Sequence, residues 1–508
     1  MAEKLQVIID NCGEEPANRM ITATTAGQFR ILSKIAVVVM LALLITITAS
    51  GQVMFKDNSD KLGLKLNNAA AAWADFNNNG FVDLCAGSVL WRNDSAKNFT
   101  KIANPGKVVL ADFDNDGFLD LFSWSSRKLF RNVKGSEFVE VNFPQLPKSN
   151  GACCGDFDGD GYVDIYLGGY ERQDKGKNFI YSDIILTNLK GQSFKISWRS
   201  KFFYPARGVT ACDFDRDADI DIYVSNYRLK PNVLLLNDGN GNFKDVAADY
   251  NAIATSDGFS GGHSIGAAWG DFDNDGDFDL FAGNLSHHDH RGDQPESRFL
   301  RNRGSVDDYR FDDMGQCGIY YQESYATPAA GDYDNDGDLD LFFTIVYPIA
   351  SFNKKNFPVL FRNDGNWTFK DVTSAEGLGG LTIKDNYQAA WADFDNDGDL
   401  DLVTAGKLFV NQGNPNNWLK VHLQGDGKQV NRSAIGAQVR IKLKDRTLTR
   451  QVEAGTGEGN QNDLTLHFGL GTQNKPVNLE IFWPNGTTKT VKQVRPNQLR
   501  KIRFSENK

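Results

Sequence analysis

The chain has 508 residues, of which 41% are hydrophobic and 12% aromatic. A chain of this length and composition can bury a large core, which excludes a disordered acidic protein. The formal net charge is −10. Many of the acidic residues belong to repeated loops of candidate metal ligands, so this charge implies little about a basic partner.

An apolar run of 15 residues at 35–49 follows Arg30 and Lys34. The run is short for a membrane span and is typical of the apolar region of a secretory signal. The segment before it is long, so two alternatives stay open: translation begins near Met20, or the segment remains as a single uncleaved anchor. Residues 1–51 are therefore predicted to be a signal peptide or N-terminal anchor, and the protein is predicted to be secreted or at the cell surface.

Five cysteines follow this segment: Cys85, Cys153, Cys154, Cys212 and Cys317. Their irregular spacing predicts neither a disulfide framework nor a zinc site. Cys212 stands where the other repeats carry Ala or Gly, which predicts a small buried residue. A single disulfide among the others stays open.

An acidic pattern occurs seven times in the chain and is clearest at residues 393–402, DFDNDGDLDL. Carboxylates at positions 1, 3, 5 and 9, a carbonyl at position 7 and a turn at the glycine of position 6 are the oxygen ligands and geometry that Ca²⁺ takes. The pattern recurs at spacings of 37 to 61 residues, which is typical of a repeat architecture. We number these segments acidic loops 1 to 7: residues 75–83, 112–120, 156–164, 213–221, 271–279, 332–340 and 393–401.

The predicted Ca²⁺ ligands are the side chains at positions 1, 3, 5 and 9 and the carbonyl of position 7, giving up to seven sites. They are Asp75, Asn77, Asn79, Phe81 and Asp83; Asp112, Asp114, Asp116, Phe118 and Asp120; Asp156, Asp158, Asp160, Tyr162 and Asp164; Asp213, Asp215, Asp217, Asp219 and Asp221; Asp271, Asp273, Asp275, Asp277 and Asp279; Asp332, Asp334, Asp336, Asp338 and Asp340; and Asp393, Asp395, Asp397, Asp399 and Asp401.

Two of the predicted sites are the weakest. Loop 1 carries Asn77 and Asn79 in place of aspartates and so lacks two charges. Loop 4 carries Ala218 in place of the glycine, and a left-handed turn costs an L-residue about 1 kcal/mol. The ions are predicted to be structural, because nothing in the sequence indicates the open coordination position of a catalytic metal.

Each acidic loop lies between two strand-like runs and is followed by a third apolar strand that ends in Asn and a fourth that begins with Phe. Four short strands in a radial repeat form a β-propeller blade, so residues 52–416 are predicted to be an all-β, seven-bladed propeller. The seventh repeat lacks its fourth strand after Asn411. The sequence around Phe55 matches that strand, so the N-terminal strand is predicted to close the ring.

The acidic loops resemble the FG-GAP/VCBS repeats of integrin α-subunit propellers and of many exported bacterial proteins. The segments 431–439 (NRSAIGAQV), 455–461 (GTGEGNQ), 466–471 (LHFGLG) and 483–487 (WPNGT) resemble an ASPIC/UnbV domain. Residues 417–508 are therefore predicted to be a small β-rich ASPIC/UnbV domain. The combination is similar to the cartilage acidic protein family and its bacterial relatives. One departure from that family's pattern is the run GNQN at 459–462.

Long connections in blades 3, 5 and 6 are predicted on the face opposite the acidic loops, and they contain Tyr170, Tyr347 and Phe352. Blade 5 also carries SHHDHRGD at 286–293. These histidines, with His263, are either a solvated loop or a transition-metal site. The tripeptide at 291–293 matches an integrin-binding motif, which is a weak signal.

No nucleophile elbow, phosphate loop or HExxH motif is present, so no catalytic residue is predicted. The favoured function is a calcium-binding extracellular binding or adhesion module, with a protein or glycan ligand on the face opposite the acidic loops. The alternatives are a glycan-active enzyme, such as a polysaccharide lyase or hydrolase-like propeller, and a structural subunit. A central cluster of Lys, Arg, Tyr and His on the open face would favour the enzyme, and an aromatic groove would favour binding.

Residues 417–508 contain 16 Lys and Arg against 7 Asp and Glu, a net charge of +9. This charge predicts either an anionic polymer as a partner or an intramolecular contact with the acidic propeller. Export makes nucleic acid an unsuitable target, and contact with a membrane is expected only through an uncleaved N-terminal anchor.

Overall fold

A computed structural model describes residues 53–174, 177–289, 292–349 and 351–505. The predicted signal or anchor at 1–51 lies outside the described residues, as do His290 and Arg291 of the histidine-rich segment. Among the helices of the described ranges, none has the length and apolar character needed to cross a membrane.

The described residues form 39 β-strands and only two short 3-10 helices, Gly304–Asp307 and Ser351–Asn353. The predicted all-β class is confirmed. Eight of the sheets have four antiparallel strands each, and seven of these contain one acidic loop as the turn between their first and second strands. We call these seven sheets blades 1 to 7.

The blades follow chain order, except that the first strand, β1 (Phe55–Asp57), belongs to blade 7. Blade 1 consists of β2 (Ala71–Ala74), β3 (Asp83–Ala86), β4 (Val89–Asn93) and β5 (Phe99–Ala103). Blade 2 consists of β6 (Val108–Ala111), β7 (Asp120–Ser123), β8 (Lys128–Val133) and β9 (Glu137–Glu140). Blade 3 consists of β10 (Ser149–Gly155), β11 (Asp164–Gly169), β14 (Ile184–Asn188) and β15 (Phe194–Arg199), with a hairpin of β12 (Glu171–Asp174) and β13 (Lys177–Ile180).

Blade 4 consists of β16 (Ala206–Cys212), β17 (Asp221–Asn226), β18 (Val233–Asn237) and β19 (Phe243–Asp245). Blade 5 consists of β20 (His263–Gly270), β21 (Asp279–Leu285), β24 (Arg298–Asn302) and β25 (Phe311–Gly315), with a hairpin of β22 (His288–Asp289) and β23 (Gly292–Asp293). Blade 6 consists of β26 (Tyr325–Gly331), β27 (Asp340–Ile345), β28 (Val359–Asn363) and β29 (Phe369–Asp371). Blade 7 consists of β30 (Ala389–Ala392), β31 (Asp401–Thr404), β32 (Lys407–Asn411) and β1.

The blades form a closed ring. The inner strand of each blade contacts the inner strand of the next, from β2 through β6, β10, β16, β20 and β26 to β30, and β30 contacts β2. The closing strand β1 pairs with β32, with Phe55 opposite Asn411. This pairing confirms the predicted N-terminal strand of blade 7. Phe55 is buried and its ring lies 5.7 Å from that of Tyr333 in blade 6.

The inner strands end in small residues because large side chains of the neighbouring blade pack against these positions. A Cβ placed on Gly270 would lie 2.7 Å from the Leu339 side chain of the next blade, and one on Gly331 would lie 2.9 Å from the ring of Trp391. Cys212 occupies the same slot in blade 4 and is fully buried, as predicted. The five cysteines of the described chain are free thiols.

The C-terminal strands form two sheets. The first has the order β36 (Leu466–Gly471), β33 (Asn417–Gln424) and β39 (Leu499–Arg503), with β33 and β39 parallel. The second has the order β35 (Thr447–Gln451), β34 (Gln438–Lys442), β37 (Val477–Phe482) and β38 (Thr488–Val494). Both sheets bury their apolar faces in one core that is continuous with blades 2 and 3.

The C-terminal domain packs on the acidic-loop end of the propeller. The Ser433 hydroxyl accepts a hydrogen bond from the N–H of Asp112 in loop 2, and the Gln438 amide donates to the carbonyl of Asp213 in loop 4. In loop 5, the N–H of Thr447 donates to the carbonyl of Asn274. One end of the ring is therefore covered, and the opposite end, which we call the open face, carries the long connections.

A turn of the C-terminal domain, residues 454–463, enters the centre of the ring. We call it the plug. It bonds to the inner strands of six blades: the carbonyl of Ala454 accepts from Cys154, that of Gly457 from Val209, and that of Gln461 from Trp73. The Thr456 hydroxyl donates to Ala267, the Gln461 amide binds Leu110, and the Asn462 side chain accepts from Trp391. Gly457 packs so closely on Thr327 of blade 6 that a Cβ would lie 2.5 Å from its methyl group.

Candidate metal loops and the open face

The acidic loops share one hydrogen-bond skeleton, which loop 7 illustrates. The carboxylate at position 1, Asp393, accepts the N–H groups of Asp397 at 3.0 Å and Gly398 at 2.9 Å. Gly398 has a φ of 96°, a conformation that L-residues rarely adopt. The loop therefore folds around the first carboxylate, and the glycine allows the turn.

The carboxylate at position 9 ties the loop to its blade. Asp401 accepts the N–H of Phe394 at 3.1 Å with one oxygen and the N–H of Asn411 at 2.9 Å with the other. The same two bonds recur in loops 1, 2, 3, 5 and 6. Both oxygens have protein partners, but each has a second lone pair that remains available to an ion.

The position-3 carboxylates are different. One oxygen of each of four of them is buried and has no hydrogen-bond partner among the described residues: Asp158, Asp215, Asp334 and Asp395. A buried carboxylate oxygen without a partner is strongly unfavourable, and native proteins pair such groups or bind them to a metal. Position 1 adds further unpaired oxygens at Asp213 and Asp271, whose side chains are buried.

Three carboxylates approach one another closely enough to share an ion in each of loops 2 to 6, with ligand atoms within 4.8 Å. Burial raises the pKa of Asp112 to about 8 and that of Asp156 to about 7. The neighbouring carboxylates raise these pKa values further. Several of the predicted clusters could therefore hold a metal ion.

Loop 1 satisfies its own polar groups. The Asn77 side-chain N–H donates to the carboxylate of Asp83, at 3.1 Å from Oδ2 and 3.4 Å from Oδ1. The carbonyl oxygen of the same side chain accepts the N–H of Asn79 at 3.0 Å. An amide thus lies against the carboxylate that an ion would otherwise neutralise. Loop 4 has Ala218 at a φ of 75°, so its backbone is strained where the other loops have glycine.

A position that the sequence analysis did not single out links the loops to one another. The residue at position 4 has a positive φ and reaches the next loop: Asn78 binds Gly117, Asn115 binds Gly161, Arg216 binds Gly276, Asn274 binds Asp338, Asn335 binds Asp399 and Asn396 binds Gly80. Loop 3 has Gly159 there and makes no such bond. The recurrent Asn before Asp-Gly was the signal in the sequence.

The Asn that ends each third strand joins neighbouring blades. Asn302, for example, donates to the carbonyl of Phe278 in its own blade and to that of Phe214 in the preceding blade. Asn93 of blade 1 donates to Phe394 of blade 7, which completes the circle. The sequence marked these residues as strand ends, but it did not show that each one bridges two blades.

Basic residues of the C-terminal domain reach two of the loops. Lys420 lies 2.8 Å from Asp393 and Arg446 lies 2.7 Å from Asp338. The Lys420–Asp393 ion pair is almost completely buried, so the lysine partly neutralises loop 7 where the domain covers it. Part of the positive charge of residues 417–508 is thus used within the molecule.

A cluster of tyrosines surrounds Arg207 on the open face. The guanidinium lies 5.3 to 5.9 Å from the ring centres of Tyr170, Tyr227 and Tyr387 and donates to the Tyr387 hydroxyl at 3.0 Å. It also lies 3.3 Å from Glu458 of the plug. Cation–π contacts and an ion pair therefore hold the tip of the plug at the open face.

A second polar cluster centres on Glu323, which accepts four hydrogen bonds. The donors are the His287 ring at 2.6 Å, the Tyr347 hydroxyl at 3.1 Å and the N–H and hydroxyl of Ser351 at 2.8 and 2.9 Å. These bonds outweigh the burial and lower the pKa of Glu323. The cluster holds the β27–β28 connection of blade 6, which contains Tyr347 and Ser351, against His287 in the β21–β24 connection of blade 5.

Two described histidines of the candidate transition-metal site, His263 and His287, lie against each other with ring centres 5.6 Å apart. His263 is the first residue of β20 rather than part of a connection, and its Nδ1 accepts the N–H of Arg228. His287 binds Glu323, and His288 stacks on Tyr321 at 4.1 Å.

Two family models match the chain. The FG-GAP-like repeat matches residues 112–167, 213–282 and 344–404, and the ASPIC and UnbV model matches residues 427–508. The chain therefore contains FG-GAP-like repeats followed by an ASPIC and UnbV domain, as the sequence motifs indicated.

Similar curated proteins include cartilage acidic protein 1 of Mus musculus, which is 30% identical over 305 residues, covering 55% of this chain and 42% of that protein. Cartilage acidic protein 1 of Homo sapiens is also 30% identical over 305 residues, covering 55% of this chain and 41% of that protein. The chain spans less than half the length of these relatives.

Two solved structures also resemble the chain. A crystal structure of BBS1N in complex with ARL6DN matches with a TM-score of 0.39 and 8% identity, covering 71% of this chain and 98% of that chain. The exotype rhamnogalacturonan lyase YesX matches with a TM-score of 0.32 and 11% identity, covering 86% of this chain and 73% of that chain.

Proposed function

We propose that this chain, which joins FG-GAP-like repeats to an ASPIC and UnbV domain, is an exported calcium-stabilised propeller that binds a protein or glycan through its open face. Calcium binding is supported by the buried carboxylate oxygens at position 3 of loops 3, 4, 6 and 7, which have no hydrogen-bond partner among the described residues. An ion in each loop would satisfy these oxygens and remove the repulsion among the carboxylates.

The donor set favours calcium over transition metals. Every predicted ligand is a carboxylate, an amide or a backbone carbonyl, and hard oxygen donors in a flexible loop suit Ca²⁺. The loops that fit best are those with aspartate at positions 1, 3, 5 and 9, such as loop 7 with Asp393, Asp395, Asp397 and Asp401. The ion would supply positive charge that holds the turn between the first two strands of a blade.

The open face is favoured for ligand binding because the C-terminal domain covers the other end of the ring. Its connections expose large apolar side chains, among them Phe179 and Phe203 near blade 3 and Ile349 and Phe357 in blade 6. Phe203 is 62% exposed and Ile349 is 59% exposed. Large exposed apolar side chains on one face are available for contact with a partner.

A glycan-active enzyme is the second candidate, and the cluster of Arg207, Tyr170, Tyr227 and Tyr387 favours it. The chemistry of the cluster is less favourable. Burial raises the pKa of Tyr387 well above its usual range, whereas a catalytic acid or base works best with a pKa near the operating pH. Arg207 is also already paired with Glu458. The cluster therefore supports binding better than proton transfer.

Binding at the open face is tested by applying the calcium-loaded protein to a glycan array and to a panel of extracellular matrix proteins. The variant Phe179→Ser/Phe203→Ser alters the open face. The control is Val306→Ser, which changes a fully solvated apolar side chain in the turn between β24 and β25, at the acidic-loop end. Loss of binding in the first variant alone supports the proposal, and equal binding by both variants contradicts it.

The enzyme is tested by incubating the protein with acidic and neutral polysaccharides and measuring new reducing ends and unsaturated products. We expect no turnover. Turnover that Tyr387→Phe abolishes would replace the binding proposal with the enzymatic one.

A further inference from the structure

A cleft of about 450 Å³ lies between the C-terminal domain and acidic loops 1 and 2. The propeller contributes Asp75 and Asp116 to its lining, and the domain contributes Arg432, Lys501 and Arg503. The cleft is at the opposite end of the molecule from the open face, so it is a separate site.

Four cations line the cleft, and three of them differ from the fourth, Lys420, which helps to hold the domain on the propeller. Lys420 and Arg446 are within 2.8 Å of loop carboxylates. Within the described chain, Arg432, Lys501 and Arg503 form no ion pair, and the Nε of Arg432 is buried without an acceptor. Lys501 lies near His422, whose pKa is lowered to about 4 by burial and by this lysine. His422 is therefore neutral near pH 7 and adds no positive charge beside Lys501.

The positive charge continues beyond the cleft. Residues 481–505 contain six Lys and Arg and no Asp or Glu. The Lys489 ammonium donates to the carbonyl of Arg503 at 3.2 Å, which places β38 beside the cleft. We call these six cations the basic strip: Lys489, Lys492, Arg495, Arg500, Lys501 and Arg503. Among the described residues none of the six forms an ion pair, although Lys501 lies close enough to Asp75 of loop 1 to act on it electrostatically.

We propose that the cleft and the basic strip bind an acidic polysaccharide, whose carboxylate or sulfate groups contact Arg432, Lys501 and Arg503. Such a polymer has regularly spaced anions that can enter the cleft and follow the strip outside it. Arginine binds planar oxyanions through paired donors, and lysine acts as a point charge.

Two other anionic partners fit the geometry less well. Single-stranded nucleic acid sites combine basic grooves with aromatic rings on which bases stack, and the lining of this cleft contains no Phe, Tyr or Trp. An anionic membrane attracts basic clusters, but its flat surface cannot enter a concave cleft between two domains.

The acidic loops on the opposite wall give the proposal a second consequence. Asp112 and Asp116 belong to loop 2 and line the same cleft. Without an ion the four carboxylates of loop 2 repel an anionic chain, and a bound dication would weaken this repulsion by cancelling two of the four charges. Binding of the polysaccharide should therefore be stronger in calcium than in a chelator at the same ionic strength.

The experiment measures binding of heparin to the calcium-loaded protein over a range of salt concentrations. The variant Lys501→Glu/Arg503→Glu reverses two charges in the cleft. The matched control Lys444→Glu/Lys475→Glu makes the same charge change at exposed residues of the domain outside the cleft. We expect the cleft variant to lose roughly tenfold or more in affinity and to depend less on salt, while the control keeps most of its affinity.

Equal losses in both variants, or no heparin binding by the unaltered protein, would overturn the proposal. Binding of single-stranded DNA or anionic vesicles with the same dependence on Lys501 and Arg503, and at affinity equal to that of heparin, would also overturn it. If the charge reversal lowers the melting temperature, a second experiment uses the unaltered protein. An amine-specific reagent modifies its lysines with and without heparin, and mass spectrometry measures whether heparin protects Lys501. Protection supports the site, and modification at an unchanged rate rejects it.

Discussion

At the scale of single residues, the chemistry of the loops depends on position 3. Asp395 has a buried oxygen without a hydrogen-bond partner among the described residues, and Asn77 at the equivalent position of loop 1 donates its amide to Asp83. The two side chains have nearly the same shape but differ in their hydrogen bonding, because one leaves a carboxylate oxygen unpaired and the other donates an amide N–H to the neighbouring carboxylate. Substitution at this position therefore separates metal binding from packing.

We expect Asp395→Asn to lower the melting temperature in calcium and to leave it unchanged or raise it in a chelator. In calcium the variant loses a ligand, and without calcium it loses a repulsive charge. Differential scanning fluorimetry in both conditions measures this, with the exposed Asp249→Asn as the control. A variant that is equally destabilised in both conditions would show that Asp395 has a packing role only.

The pKa values of the loops predict how stability without metal depends on pH. Burial raises the pKa of Asp83 and Asp112 to about 8, above the unfolded value of about 3.9. The folded state then binds more protons than the unfolded state, so stability falls as pH rises from about 4 to about 8. We expect the melting temperature in chelator to be higher near pH 5 than near pH 8, and calcium to reverse the trend because protons compete with it. A flat profile in chelator would contradict this.

At the scale of structural elements, the plug is what joins the two halves of the molecule. Gln461 is fully buried, and its side chain accepts the N–H of Leu110 at 2.8 Å and donates to the carbonyl of the same residue at 3.1 Å. Its backbone pairs with Ala71 and Trp73 of the adjacent blade. One residue thus satisfies backbone groups of two inner strands that have no other partner on that side.

We expect Gln461→Ala to lower the free energy of unfolding by about 2 to 4 kcal/mol, because it leaves a buried N–H and a buried carbonyl of Leu110 unpaired. Urea denaturation measures the change. The control is Gln473→Ala, whose amide only contacts the exposed carbonyl of Lys475. A loss no larger than that of the control would mean that water replaces the side chain in the ring.

At the scale of the whole molecule, the ring and the C-terminal domain share one core. Leu419 and Phe468 of the domain belong to the same buried cluster as Phe113 and Ile165 of the propeller. The acidic loops, the plug and the paired cations Lys420 and Arg446 lie at this interface. A chain organised in this way cannot lose one part without exposing apolar surface of the other.

We therefore expect residues 53–505 to unfold in a single calorimetric transition in calcium, with equal calorimetric and van't Hoff enthalpies. Substitutions in the plug, such as Gln461→Ala, should shift the whole transition without splitting it. Two separate transitions, one sensitive to calcium and one not, would show that the domain and the propeller are independent units.

The sequence by itself determined the elements that depend on local patterns. The spacing of the acidic loops, the Asn that ends each third strand and the Phe of each fourth strand predicted the blades and the closing strand at Phe55. The ligand positions were also readable, because calcium requires oxygen donors at fixed positions along a single short loop.

Only the tertiary structure decided which contacts join these elements. Position-4 residues such as Asn396 contact a loop some 300 residues away in sequence, at Gly80, and no local pattern specifies such a pair. The GNQN run was noted as a departure from the family pattern, yet its role as the plug depends on the domain folding back over the ring. Composition likewise could not show which positive charges of residues 417–508 are paired within the molecule. Only the structure shows that Lys420 forms a buried ion pair with Asp393, while Lys501 forms no ion pair among the described residues.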